Sequence, residues 1–247
     1  MKKILVAISN FGTEQLTHLE KVVEELKNFK KYKVTIIVNS DIPLNIKGID
    51  LVNIIKLDNC LNLPLTCRQV LLTNKDDFDL FIFNENDHLF QEHHIDNYFK
   101  YVDILPSTAI SGLLRYEKNE HTTSYPDYHA HYTWDYNSVV QYGGKVFAHF
   151  TNLHQGCFML TKSQINEISS KHDFTLFFGS STYGPRERTN TDIYQLYGKN
   201  KLICISDFKE NIIHHLPNTY ITPNNGRVSF GTVEERMIKN INQILKK

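Results

Sequence analysis

The N-terminal segment, residues 1–41, has the pattern of a β-α-β unit, and this pattern favours folds that contain parallel strands. Residues 4–8 form a continuous apolar run rich in β-branched side chains, which is typical of a strand buried on both faces. Apolar residues then recur at the helical period over residues 14–29, and a second β-branched run follows at 33–38. The sequence therefore predicts an α/β chain.

Polar residues follow both of these predicted strands. Ser9 and Asn10 come directly after Ile8, and Asp41 lies just past the second strand. Parallel sheets bind their ligands at the carboxyl ends of the strands. We therefore expect Ile8, Ser9, Asn10 and Asp41 to contribute to the binding of a cofactor or substrate.

The charge balance excludes some classes of partner. The chain has 247 residues with 27 basic and 27 acidic side chains, so no basic field would hold a nucleic acid. No apolar run reaches the length of a transmembrane segment. The four cysteines form no C-x-x-C pair, which disfavours a zinc ribbon or a thioredoxin-like motif and predicts reduced thiols in a cytoplasmic protein. Since hydrophobic residues make up 41% of the chain, we expect it to fold throughout.

Two carboxylates follow a third apolar strand. Residues 78–83 are dense in aromatic and aliphatic side chains, and the run stops at Asn84, Glu85, Asn86 and Asp87. Carboxylates at a strand end can bind a hard divalent cation, with one on the metal and the other on metal-bound water or a ribose hydroxyl. The alternative is a solvated acidic turn, since so short a motif has a high false-positive rate.

Arginines near this segment are candidates for binding a diphosphate. Arg68 lies on a predicted helix over residues 65–73, and its planar guanidinium is suited to a diphosphate or to orienting Glu85 or Asp87. Arg186 precedes another predicted helix, around residues 191–197, and backbone N–H groups at a helix start attract phosphate together with cations. The alternatives are a surface arginine and a solvated charge cluster.

Residues 117–144 are rich in Tyr and His and end in Gly143 and Gly144, which predicts a long functional loop. Aromatic rings with polar tips suit the apolar faces and polar rims of sugars. Trp134, the single tryptophan of the chain, is therefore the expected platform for a saccharide acceptor. The alternative is a loop whose aromatic side chains pack back onto the domain.

Several motifs occur in an order that resembles the GT-A class of glycosyltransferases. Residues 78–87 resemble the D-x-D segment of that class, here in an E-x-D form. Residues 154–160, which begin His154-Gln155-Gly156, resemble the glycine-containing acceptor segment. Residues 184–187 with Thr191-Asp192 resemble the later acidic motif, and His214-His215 resembles the C-terminal metal-binding histidine. The chain departs from the class at Glu85, and Thr191-Asp192 replaces the usual Glu-Asp pair.

The resemblance implies a Rossmann-like GT-A fold: one catalytic domain over residues 1–247 with a mostly parallel central sheet and helices on both faces. Residues 1–87 would form the half that binds the nucleotide-sugar donor, and residues 88–217 the acceptor and catalytic half. Residues 218–247 would form a C-terminal segment with a helix.

The resemblance also implies a metal-dependent, inverting transfer of a sugar from a nucleotide-diphosphate donor to a saccharide or glycoconjugate hydroxyl. Mn²⁺ or Mg²⁺ would be held by Asp87 and by one of His214 and His215, because neighbouring residues on a strand face opposite sides. Glu85, Asn86, Arg68 and Arg186 would bind the donor, and Trp134, Gln155 and Gly156 the acceptor. Asp192 would be the general base, with Glu187 as its rival.

Two other functions remain open from the sequence. The first is a metal-dependent phosphoester hydrolase that uses Asp87 and the histidines, although the carboxylates are spread over different strand ends. The second is a catalytically inactive module that binds a nucleotide or a glycan. It would keep Asp87 but lack a base near the sugar.

Overall fold

A computed structural model of the protein describes residues 1–221 and 231–247. Its strands are β1 (Lys2–Asn10), β2 (Tyr32–Ser40), β3 (Leu51–Ile54), β4 (Leu80–Glu85), β5 (His88–Leu89), β6 (Ala109–Ser111), β7 (Leu114–Lys118), β8 (Thr123–Tyr125), β9 (Trp134–Tyr142), β10 (Lys145–Phe150), β11 (Cys157–Thr161), β12 (Asn200–Cys204), β13 (Ile212–His215) and β14 (Thr232–Val233). Its α-helices are α1 (Leu16–Lys27), α2 (Leu63–Thr73), α3 (Glu92–Val102), α4 (Lys162–Lys171), α5 (Pro185–Gln195) and α6 (Glu234–Ile244).

The chain divides into two compact units. The first unit contains Met1–Glu92 and Gly156–Tyr197, and the second contains His93–Gln155 and Gly198–Lys247. The single domain over residues 1–247 stays a prediction, as do its subdivisions at 87 and 217. Part of the predicted C-terminal segment, residues 222–230, lies outside the described residues.

The sheet of the first unit has the strand order β11-β4-β1-β2-β3. The pairs β1–β2, β1–β4 and β2–β3 are parallel, whereas β11 is antiparallel to β4. Residues 4–8 of β1 and residues 80–83 of β4 are fully buried, as the continuous apolar runs predict for central strands. The predicted β-α-β unit is confirmed as β1, α1 and β2.

The sheets of the second unit are mixed. One has the order β6-β12-β10-β9, with β6 and β12 parallel but β10 antiparallel to both β9 and β12. In another group β7 pairs in parallel with β13 and antiparallel with β8. The prediction of an α/β chain is therefore confirmed, whereas the sheets are mixed and do not clearly form the one mostly parallel sheet that was predicted.

The predicted long loop over residues 117–144 is wrong, because much of it is strand. It contains β8 and β9, and β9 forms an antiparallel hairpin with β10. The connecting residues, Gly143 and Gly144, have φ angles of 53° and 74°. A two-residue hairpin turn with positive φ at both positions favours glycine, so this pair was the sequence signal for the hairpin.

A buried histidine on α3 makes stability depend on pH. His94 is 2% exposed, and its Nε2 donates to the backbone oxygen of Ile212 at 3.0 Å. Burial lowers the pKa of His94 from 6.5 to about 3, so in acid the unfolded chain takes up the proton and the folded chain does not. The stabilisation that the neutral, buried His94 gives to the folded chain is therefore complete above pH 6.5, and it is lost as the pH falls towards 3.

We expect this histidine to lower the free energy of unfolding by about 2 kcal/mol between pH 7.5 and pH 5. His94→Gln keeps a side-chain donor near Ile212 but does not titrate. The free energy of unfolding of this variant should therefore fall by about 2 kcal/mol less than that of wild type between pH 7.5 and pH 5. Urea unfolding at both pH values measures the difference, with His121→Gln at an exposed turn as the control. Identical pH dependence in His94→Gln and wild type would contradict the assignment.

In the described ranges, no helix is both long enough and apolar enough to cross a membrane.

Candidate functional site

A cleft of about 260 Å³ lies in the first unit at the carboxyl ends of its central strands. Ser9 at the end of β1 is paired with Glu85 at the end of β4, so both reach the same edge of the sheet. The lining residues are Ser9, Phe11, Glu14, Gln15, Cys60, Leu63, Pro64, Glu85, Asn86, Asp87 and Arg186. The fold thus brings together five of the predicted donor and metal residues: Ser9, Glu85, Asn86, Asp87 and Arg186.

The acidic segment is held by its neighbours in the first unit. The backbone N–H of Glu85 donates to the oxygen of Gly156 at 3.0 Å. Asp87 is 8% exposed, and one of its carboxylate oxygens lies 2.8 Å from Nδ1 of the fully buried His88. The carboxylate of Asp87 therefore lies at the edge of the cleft, beside the His88 ring.

Asn10 acts through other residues rather than at the surface of the cleft. It is 1% exposed, and its Oδ1 accepts a 2.8 Å hydrogen bond from Nδ2 of Asn86. Its Nδ2 donates to Oγ of Ser40 at 3.2 Å. Ile8 is fully buried in the core, so the structure gives both Ile8 and Asn10 supporting positions behind the predicted donor site.

Asp41 lies at a smaller cleft of about 210 Å³, also in the first unit. Its Oδ1 accepts a 2.8 Å hydrogen bond from the backbone N–H of Gly12. Phe11, Cys60 and Leu63 line both clefts, which makes the two clefts neighbours. Sequence reasoning missed these residues because they lie on loops and helix starts without a charge pattern.

Gly156 is required by its packing against His88. Its φ is +67°, and a Cβ placed there would lie 2.5 Å from Nε2 of His88. Any larger residue would displace the ring that contacts Asp87. The structure therefore gives Gly156 a packing role, and its predicted contact with an acceptor stays a prediction.

Helix α5 begins earlier than the sequence analysis predicts. It starts at Pro185, with Gly184 at the N-cap, whereas the prediction placed the helix around residues 191–197. Proline is favoured in the first helical turn, where its missing N–H has no partner to lose. Arg186 therefore lies in the first turn of α5, as does the half-buried Glu187.

Asp192 and Arg68 belong to a buried network inside the first unit. Arg68 is fully buried, and its Nε donates to the oxygen of Thr189 at 3.0 Å. A carboxylate oxygen of Asp192 lies 3.3 Å from Nε of Arg188, and the other lies 3.9 Å from Arg68. Burial raises the pKa of Asp192, and the two guanidinium groups oppose this shift. The expected position of Arg68 beside the diphosphate or the acidic pair is wrong, because its donors bond within this network.

The histidine pair lies on β13 in the second unit. His215 is buried, and its Nδ1 lies 2.6 Å from Oε1 of the fully buried Glu117. The other carboxylate oxygen of Glu117 accepts from the backbone N–H groups of Tyr220 and Ile221 at 2.8 Å. His214 is half-buried and stacks on Tyr116 with ring centres 4.9 Å apart. The alternation along β13 agrees with the expected asymmetry of the pair, and the choice of metal ligand stays a prediction.

The predicted acceptor platform is wrong for Trp134. The ring is 1% exposed and packs edge-on against Phe150 and Phe208 in the core of the second unit. A ring enclosed in this way offers no face to a sugar. Gln155 is also buried, and its Oε1 accepts from the backbone N–H of Leu113 at 2.9 Å.

A comparison with solved structures agrees with the predicted class of fold. No protein-family model matches the sequence, and no curated protein matches it. Among solved structures, the chain is similar to residues 1–349 of S. aureus TarS, a GT-A-type glycosyltransferase, with a TM-score of 0.50 and 12% sequence identity. The match covers 89% of this chain and 62% of the TarS chain. The chain thus has a glycosyltransferase-like fold and spans less than two thirds of that structure.

Proposed function

We propose that the protein is a glycosyltransferase that binds a nucleotide-diphosphate sugar in the 260 Å³ cleft and transfers the sugar to a saccharide-like hydroxyl. The observation that carries this proposal is the convergence of Glu85, Asp87 and Arg186 on one cleft at the carboxyl ends of β1 and β4. Ligands of parallel sheets bind at this edge. The glycosyltransferase-like fold supports the same conclusion.

The charge of the cleft supports a divalent cation. Glu14, Glu85 and Asp87 line it, and these carboxylates would repel a diphosphate in the absence of a cation. Carboxylate and amide oxygens suit Mn²⁺ and Mg²⁺, so the residues fit the proposed metal. Asp87 would be the principal ligand in this cleft. When bound, the ion would neutralise the charge on the departing diphosphate.

Arg186 would bind the phosphates directly. It lies in the first turn of α5, where N–H groups without helical partners and the helix dipole favour an anion. Its guanidinium can donate two parallel hydrogen bonds to a phosphate. Asn10 would act as a positioning residue, because its bond to Asn86 fixes the middle of the acidic segment.

The test is release of nucleotide diphosphate from a panel of nucleotide sugars in the presence of Mn²⁺ and saccharide acceptors. We expect release with one nucleotide class, and Arg186→Gln should abolish it. Lys21→Gln removes an exposed cation from α1 and serves as the matched control. Phosphate release from simple phosphoesters without any nucleotide-sugar turnover would contradict the proposal and favour a hydrolase.

We further propose that Glu187, rather than Asp192, is the general base. Asp192 is fully buried between arginines, whereas Glu187 is half-buried in the turn that carries Arg186. Glu187→Gln should lower turnover by about 10²–10⁴-fold with nucleotide binding unchanged. Asp192→Asn should lower the free energy of unfolding by about 3 kcal/mol, because the buried guanidinium groups of Arg68 and Arg188 would no longer have a carboxylate beside them.

Steady-state rates, nucleotide titrations and urea unfolding of both variants measure these effects. NMR of the product should show inverted configuration at the anomeric carbon. Retention of configuration, or full activity of Glu187→Gln, would contradict a base of this kind at Glu187.

A further inference from the structure

The second unit contains a larger cleft that the proposed function does not use. Its volume is about 330 Å³, and it is lined by residues of β6, β9, β10 and β12 and of the segment before β6. Val140, Leu202 and Tyr142 supply apolar surface, and Asp135, Ser138 and His149 supply polar groups. The cleft therefore combines an apolar wall with converging hydrogen-bonding side chains, which is the usual composition of a small-molecule site.

A β-bulge places the polar side chains. The register between β9 and β10 shifts between Phe147 and His149, so that His149 becomes the partner of Asp135. Ser138 fixes this irregularity, because its Oγ accepts from the backbone N–H of His149 at 2.8 Å and donates to the oxygen of Asp135 at 2.6 Å. Bulges redirect side chains and are frequent beside functional sites.

The hydrogen bonds of His149 determine which ring nitrogen meets a ligand. Nδ1 lies 2.9 Å from the backbone oxygen of Lys201, so Nδ1 carries the proton that it donates there. In the neutral ring, Nε2 is then the acceptor. Burial lowers the pKa of His149 below its ordinary value, which favours the neutral form at pH 7. Asp135 adds carboxylate acceptors, and its Oδ1 accepts from the N–H of Asn137 at 2.9 Å.

The acceptors of Asp135 and His149 favour a ligand that donates hydrogen bonds, and Thr108 and Asn200 also line the cleft. Hydroxyl groups donate to carboxylate and imidazole acceptors, and the C–H face of a pyranose matches the Tyr142 ring with Val140 and Leu202. The negative charge of Asp135 disfavours phosphorylated ligands at the same position.

We propose that this cleft is a carbohydrate-binding site that holds an uncharged saccharide unit by hydrogen bonds from its hydroxyls to Asp135 and His149. The inference rests on the lining of the second unit alone. It would stand even if the first unit failed to bind a nucleotide sugar.

Saturation-transfer NMR of the full chain measures the binding of lactose, maltose, N,N′-diacetylchitobiose and glucose. The same experiment measures whether glucose 6-phosphate competes with the saccharide that binds. At least one uncharged saccharide should bind, and glucose 6-phosphate should not compete with it. Asp135→Asn and His149→Gln should each weaken binding by about tenfold, because each replaces a strong acceptor. His121→Gln, at an exposed turn, should bind as wild type does.

Amide chemical shifts give a second readout that does not depend on the variants. Saccharide binding should move the amide signals of Val140 and Tyr142. Circular dichroism establishes that each variant is folded. The proposal is overturned if none of the saccharides binds, if both folded variants bind as tightly as wild type, or if the shifts fall only on residues of the first unit.

Discussion

Asp87→Asn should weaken the Mn²⁺-dependent binding of a nucleotide diphosphate by more than about 100-fold, since loss of even an outer-shell partner of a metal costs about 10–100-fold. The substitution removes the negative charge and keeps the size of the side chain. Asn can still present its Oδ1 to Nδ1 of His88, which now lies 2.8 Å from the carboxylate, so the fold should be preserved. Calorimetric titration with Mn²⁺ present measures the loss, and circular dichroism measures the fold.

Asp58→Asn is the matched control, because Asp58 is exposed and does not line the cleft. It should bind the nucleotide as wild type does. A folded Asp87→Asn protein with wild-type affinity in Mn²⁺ would show that Asp87 is not the metal ligand.

Gly156→Ala should lower the free energy of unfolding by at least about 3 kcal/mol, the range in which buried steric overlap and backbone strain combine. The added Cβ would lie 2.5 Å from Nε2 and 2.9 Å from Nδ1 of His88, and the residue has a φ of +67°. Both the backbone and the ring beside Asp87 would have to move. Urea unfolding measures the change in stability.

Gly179→Ala separates the two contributions to this loss. Gly179 also has a φ of +67°, but the nearest atom to its added Cβ is Cδ2 of Leu196 at 4.0 Å. Gly179→Ala should therefore lower the free energy of unfolding only by the cost of a positive φ at alanine, about 1–2 kcal/mol. If both variants lost the same stability, the contact with His88 would not be the cause.

The sequence predicts the parts of this fold that depend on local patterns. The continuous apolar runs of β1 and β4 and the helical period of α1 are periodicities that need no distant partner. The convergence of Ser9 and Glu85 also follows from the sequence, because strand ends of a parallel sheet share one edge.

The burial of Arg68 and Trp134 could not be predicted in this way. Arg68 bonds to the oxygen of Thr189, 121 residues away along the chain, and no local pattern encodes such a partner. Trp134 is the first residue of β9, and its burial depends on packing against Phe150 and Phe208, which lie 16 and 74 residues further along the chain. Exposure of a polar or aromatic residue depends on tertiary packing, and residue type alone does not determine it.

The early start of α5 was available from the sequence. Gly184 followed by Pro185 fits an N-cap and a first helical position, and this pair places Arg186 in the first turn. The Gly143-Gly144 turn of the β9–β10 hairpin was similarly available. In both places glycine or proline marks the boundary of a regular element.

Thermal unfolding with nucleotide diphosphates, each with and without Mn²⁺, tests the central claim most directly. A ligand that binds only the folded chain raises the melting temperature, by about 5–10 °C at a hundredfold excess over its dissociation constant. We predict such a rise for the uridine or guanosine diphosphate, dependent on Mn²⁺ and absent in Asp87→Asn. No rise with any nucleotide diphosphate, or an equal rise in Asp87→Asn, would contradict a metal-dependent donor site in the first unit.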